Sequence, residues 1–313
     1  MRVVVAGMGV QGHKRRRVAG ADAVASVDPV HPDVDYKHIA DVPLASYDAV
    51  LVCIPDAPKV DFLRYCIDNG KHVLVEKPLW APSEEDIISL QEAANRNSVV
   101  LYTAYNHRFE PHYVRMREVI ASGALGEIYS CRMFYGNGTA RLVRDSVWRD
   151  HGSGVLPDLG SHLLDTCRFW FGDLKDDFRL SGAHAFENVA ADHVVIGNEA
   201  SQPRIELEMT LLMWRNHFTC DILAEKGTAH IESLCKWGPS TFTRRTRILP
   251  SGRPPEEAVT LVQDDPTWVA EYAHFKGLIE GGAKTDLSGD LWLHRALERL
   301  GRDAEARIKE TRA

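Results

Sequence analysis

The stretch VVVAGMGVQG, residues 3–12, constrains this chain more than any other. An uninterrupted apolar run ends on Gly7, and Gly9 and Gly12 follow in G-x-G-x-x-G spacing. A buried strand that breaks into such a loop and reopens as a helix is the fingerprint of a dinucleotide-binding βαβ unit. Gly7 makes the tight turn, Gly9 lets a pyrophosphate approach the backbone, and Gly12 lets helix pack on strand. Met8 and Val10 lie between them and share the expected contact. Asp28 stands twenty-one residues past Gly7, at the end of the second apolar run. There a carboxylate accepts hydrogen bonds from the adenosine ribose hydroxyls. It would repel a 2′-phosphate, so NAD is the expected cofactor, with NADP left open.

The first third of the chain continues this alternation. Short apolar runs at 3–6, 23–27, 49–54, 72–75 and 99–103 read as strands, with helical stretches at 59–69 and 83–97 between later ones. Apolar strands without polar alternation indicate a parallel sheet covered on both faces, hence an α/β, doubly wound fold. Ser83 is the expected N-cap of the helix that follows it, with an acidic first turn. Residues 29–43 are weakly patterned and predict only a loop or short helix. Beyond about residue 125, runs at 128–135, 192–196, 204–213, 218–223 and 228–231 predict a mostly antiparallel sheet. The expected division is a dinucleotide-binding domain over 1–105 and a substrate-binding and oligomerisation domain over 106–313. The C-terminal helix is expected to pack back on the first domain. The apolar run EMTLLMW in the second sheet predicts a homodimer or homotetramer.

Three segments carry chemistry. In VLVEKPLW, residues 73–80, Lys77 follows the fourth strand, at the carboxyl edge where such sheets bind ligands. Pro78 disfavours helix at Lys77, and an ammonium there stabilises developing negative charge on oxygen. Glu76 is expected to pair with Lys77 or with nearby backbone. In GVLPDLGSHLLDTCRFWFG, residues 154–172, Asp158 and His162 stand four apart, on one helix face. A histidine with a carboxylate one turn away suits general acid–base work, its ordinary pKa of about 6.5 lying near working pH. In YNHRFEP, residues 105–111, Asn106 and Arg108 lie just past the fifth strand. The expected cofactor contacts are Gly7, Met8, Gly9, Val10, Gly12, Asp28, Ile54, Pro55, Glu76, Lys77 and Asn106. Arg108, Trp148 and Arg149 are substrate candidates.

The net charge of −7 argues against nucleic acid or an anionic membrane as partner. The run His13-Lys14-Arg15-Arg16-Arg17 reads as a solvated helix face. Six cysteines at irregular spacing form no C-x-x-C pair, so neither zinc nor a disulfide framework is expected. No apolar run approaches the length of a membrane span. The sequence enters its first strand directly, and a cytoplasmic protein without a leader is the expectation.

Taken in order, the glycine loop, E-K-P, Y-N-x-R-F-x-P, GALGEI (123–128), G-x-x-x-D-x-G-x-H-x-x-D and EKGTAHIE (225–232) resemble the Gfo/Idh/MocA oxidoreductases, the family of glucose–fructose oxidoreductase and inositol dehydrogenase. The resemblance implies a Rossmann domain followed by an α/β domain with a large open-faced sheet. It also implies an NAD(P)-dependent dehydrogenase acting on a secondary alcohol of a sugar, cyclitol or sugar derivative. By that resemblance Lys77 bonds the reacting oxygen, and Asp158 and His162 complete the catalytic group. Two other readings stand beside it: an NAD-dependent glycosidase that oxidises transiently, and a non-catalytic sensor on the same fold. The sequence departs from the usual pattern at Gly152-Ser153-Gly154, at Pro157, and in the short segment after Asp28.

Overall fold

A computed structural model describes residues 1–146 and 149–312. The chain divides into two compact units, Met1–Asn106 with Pro266–His294, and His107–Asp265 with the residues from Arg295 on.

The first unit is built on five parallel strands: β1 (Val3–Ala6), β2 (Ala23–Val27), β3 (Ala49–Val52), β4 (His72–Glu76) and β5 (Leu101–Ala104). Their order is β2-β1-β3-β4-β5, so the chain reverses direction across the sheet at β1 and β3. β1 and β3 are buried throughout, as strands covered on both faces must be. Helices α1 (Val10–Ala19), α2 (Lys59–Asp68) and α3 (Glu84–Arg96) connect the strands. The Ser83 hydroxyl accepts the Asp86 N–H and caps α3, in agreement with the sequence. Residues 29–43 hold one short 3₁₀ turn, Ile39–Asp41. The later segment returns to this unit. Tyr272 and Phe275 join Val3, Val5 and Leu51 in one core cluster, and the Thr285 hydroxyl accepts the Leu101 N–H at 2.9 Å.

The second unit holds α4 (Pro111–Ala121), α5 (Ala140–Arg144), α6 (Ser161–Phe171) and an eight-stranded sheet. Its strands are β6 (Ile128–Gly136), β7 (Phe178–His184), β8 (His193–Asn198), β9 (Arg204–Thr210), β10 (His217–Ala224), β11 (Gly227–Glu232), β12 (Ser240–Thr246) and β13 (Glu256–Leu261). They run in the order β13-β12-β11-β10-β6-β9-β8-β7. All neighbours are antiparallel except β6 and β9. Strand β9 shows the two-sided pattern clearly. Ile205, Leu207 and Met209 are buried, whereas Glu206 bonds Arg132 and Glu208 bonds His193. The outward face of this strand is therefore polar. The apolar run that follows leaves the strand, and Trp214 is fully exposed. Two further helices, α7 (Thr267–Glu280) and α8 (Ser288–Arg312), end the chain. Among the described residues no helix is long and apolar enough to cross a membrane, and all six cysteines are free thiols.

Candidate active site

In the first unit the glycine loop has the shape its spacing implies. Gly7 has φ +85°, and a Cβ there would meet the Cys53 carbonyl oxygen at 2.4 Å. A Cβ on Gly12 would meet the Gly7 oxygen at 1.9 Å. Both positions demand glycine, one for conformation and one for close approach. Gly9 is different: nothing lies within 4 Å of its would-be Cβ. It opens α1, and no described side chain caps that helix start. The backbone N–H groups there remain available to an anion, with the helix dipole behind them. These features fit a dinucleotide pyrophosphate.

Asp28 closes one side of the loop. Its Oδ2 accepts the Met8 N–H at 2.8 Å, and its Oδ1 accepts Val30 N–H at 2.9 Å and His31 N–H at 2.8 Å. Burial works against its charge, but these backbone donors from His31, Met8 and Val30 outweigh it and hold the carboxyl below its ordinary value. An ionised carboxylate has about four acceptor sites, so room remains for a ribose hydroxyl. Ile54 follows β3 and packs partly on the core, and Pro55 is exposed. Asn106 is buried and donates to the Thr267 hydroxyl at 2.9 Å.

The basic run is not uniformly solvated. Arg15 is 1% exposed. Its Nε donates to Glu76 at 2.7 Å and its Nη1 to Glu271 at 2.6 Å, and the guanidinium lies 4.2 Å from the Trp268 ring centre. Helix α1 turns this residue toward the sheet, where two carboxylates compensate the buried charge. Desolvation opposes that charge, and Glu271 and Glu76 more than offset it. Glu76 thus pairs with Arg15. Lys77 is half-buried at the carboxyl end of β4.

In the second unit, Leu156–Gly160 forms a π-helical turn that runs directly into α6. The sequence spacing implied plain α-helix here, but the Ser161 N–H reaches back to the Leu156 oxygen, five residues rather than four. Gly154 (φ +57°) anchors the approach, since a Cβ there would meet the Ala191 oxygen at 2.1 Å. Asp158 lies on the π turn, half-buried, 3.6 Å from the Arg149 guanidinium. His162 is 9% exposed. Its ring stacks on His107, with centroids 3.9 Å apart and planes 18° from parallel. Lys236 Nζ donates to His107 Nε2 at 3.1 Å and to the Tyr135 hydroxyl at 3.2 Å. Arg108 embraces the Asp165 carboxylate through two nitrogens. Trp148 lies outside the described residues. No sequence pattern marks His107, between Asn106 and Arg108, or Lys236, within SLCKWG. Among the described residues no group of three or more His, Cys, Asp or Glu is placed to hold a metal ion.

The comparisons agree with this architecture. Residues 1–105 match the oxidoreductase family with NAD-binding Rossmann fold, and 113–230 match the GFO/IDH/MocA C-terminal domain. The scyllo-inositol 2-dehydrogenase (NADP(+)) of Bacillus subtilis is 31% identical over 128 residues, 40% of this chain and 35% of that protein. The glucose-6-phosphate 3-dehydrogenase of the same organism is 29% identical over 146 residues, 45% of this chain and 41% of that protein. These matches span well under two thirds of the relatives' lengths. The structure of UDP-N-acetylglucosamine 3-dehydrogenase from Acidithiobacillus ferrooxidans superposes with a TM-score of 0.80 at 18% identity, covering 98% of each chain, a likeness of fold. With both domain matches in sequence order over most of its length, this chain belongs to the Gfo/Idh/MocA oxidoreductase family.

Proposed function

We propose that the protein is an NAD-dependent dehydrogenase acting on a secondary alcohol of a sugar, cyclitol or sugar derivative. The observation that carries the reading is His162, held in a buried aromatic and cationic cluster with Asp158 on the turn before it. An imidazole so fixed suits proton transfer to and from a hydroxyl. The glycine loop and Asp28 hold the dinucleotide, whose nicotinamide supplies hydride transfer when bound. In the oxidative direction His162 takes the hydroxyl proton, Lys77 stabilises the negative charge on that oxygen, and Asp158 orients the histidine. The two Bacillus relatives are named a scyllo-inositol 2-dehydrogenase and a glucose-6-phosphate 3-dehydrogenase, which supports a cyclitol or sugar substrate here. The protein works as a homodimer or homotetramer, and its six free thiols suit the reducing cytoplasm.

The test is a screen of cyclitols, sugars, sugar phosphates and nucleotide sugars for NAD reduction. Net NADH release with at least one of them supports the reading. Cleavage of a glycoside without net NADH would replace it by the transient-oxidation reaction. Tight NAD binding with no turnover on any of them would replace it by a sensor.

A further inference from the structure

The Lys236–His107–His162 row has a directional logic. An ammonium can only donate hydrogen bonds. Lys236 Nζ lies 3.1 Å from His107 Nε2. A hydrogen bond donated by a charged Lys236 requires the lone pair on that nitrogen, which is the neutral His107 tautomer with its proton on Nδ1. Its ring lies 3.9 Å from that of His162 and nearly parallel to it. Two imidazolium rings so placed repel, so the pair holds at most one charge comfortably. Lys236 decides which ring can carry it.

The surroundings fix the platform. His107 is 2% exposed, set edge-on to Tyr113 at 5.8 Å and tilted to Tyr135 at 5.7 Å. Tyr135 in turn lies 6.2 Å from His162. Ionisable groups on the elements around the row include Lys236, Tyr135, Tyr113, His112, Cys167, the Arg108–Asp165 pair, the Glu110–Cys235 pair with Asp265 beside it, and Asp158 with Arg149. Lys236 bonds the His107 ring nitrogen Nε2 directly.

We propose that Lys236 and His107 are positioning residues for His162: the lysine locks His107 as one neutral tautomer, and that ring fixes the plane of His162 and leaves it the single proton acceptor of the row. The proposal rests on the reading of His162 as the acid–base residue, and its first test does not depend on turnover. In protein labelled with 15N-histidine, His107 should stay neutral with a lone pair on Nε2 from pH 5 to 8, while His162 titrates in one step. In Lys236→Met, His107 should take up a proton inside that window and the two titrations should become coupled. Lys236→Arg keeps a cationic donor and should restore the single step. In kinetics, Lys236→Met removes a positive charge beside the row, so protons are held to higher pH. The acid limb of the kcat/KM profile should move up by about one pH unit, with KM little changed, and should return in Lys236→Arg. A protonated Nε2 on His107 at pH 7, or titrations in Lys236→Met identical to wild type, would overturn the pairing even in an active enzyme. The expected titrations in a protein that reduces no NAD would uphold the pairing and count against the acid–base reading alone.

Discussion

Arg15 Nε donates to Glu76 Oε1 at 2.7 Å, joining the third residue past the glycine loop to the carboxylate beside Lys77. The same guanidinium reaches Glu271 at 2.6 Å. One buried cation thus ties α1, the end of β4 and α7 together and bonds two carboxylates. Removing it takes that cation from both. Arg15→Met should cost about 3–5 kcal/mol, the scale for leaving a buried charge uncompensated. Urea denaturation measures this, and a loss below about 1 kcal/mol would mean the pairs contribute no more than surface ones do. Arg15→Lys keeps the charge but not the fork, and should fall between.

Asp28 supports the loop as well as the expected ribose. NAD should bind at least roughly ten-fold more tightly than NADP, a difference of about 1.4 kcal/mol. Fluorescence titration with both nucleotides checks this, and equal or tighter NADP binding would refute it. The carboxyl also has a pH signature. Its folded-state pKa lies below the ordinary value, so its stabilisation is present above about pH 3.9 and is lost as pH falls through the lower folded value. Asp28→Asn should therefore be less stable than wild type near neutrality. That gap should close on acidification, as followed by denaturation at a series of pH values.

The parts of the fold that residue types encode directly were legible in the sequence. Gly7 and Gly12 are required by a positive φ and by close backbone approach, so the loop could be read from spacing. The five parallel strands stood out because strands buried on both faces must be apolar. Strands β7, β12 and β13 went unread. β7 and β13 are the edges of the large sheet and β12 lies next to one. Edges are protected by charge and polarity, and Glu256, Glu257, Arg244 and Arg245 erase the apolar signal there. The polar cluster was hidden for another reason. Lys236 meets His107 across 129 residues, and no local pattern records such a pairing. Arg15 looked like one member of a solvated run because its burial depends on Glu271, far along the chain.

The apolar outer face from which assembly was expected is not found on β9. The outward side of β9 carries Glu206 and Glu208 bonded to neighbouring strands, so an interface on this face would be polar and sensitive to salt. Light scattering at micromolar concentration should give a dimer or tetramer mass at low ionic strength and a shift toward monomer at high salt. A mass near 35.0 kDa under all conditions would refute the assembly.

Lys77, Asp158 and His162 are proposed to serve one reaction, and kinetics can separate their parts. On this proposal Lys77 addresses the substrate oxygen and not the phosphates, so Lys77→Met should leave NAD affinity nearly unchanged. Its kcat should fall by roughly 10²–10³, the scale for losing one preorganised electrostatic donor. His162→Ala should cost roughly 10²–10⁴, the scale for general acid–base catalysis. If the two residues act as a unit on the same hydroxyl, each loss already disables what the other supports. The double variant should then fall well short of the product of the single effects. Full multiplicativity would mean the residues act independently. Full turnover by Lys77→Met on the true substrate would remove the lysine from the mechanism while leaving the fold and the family untouched.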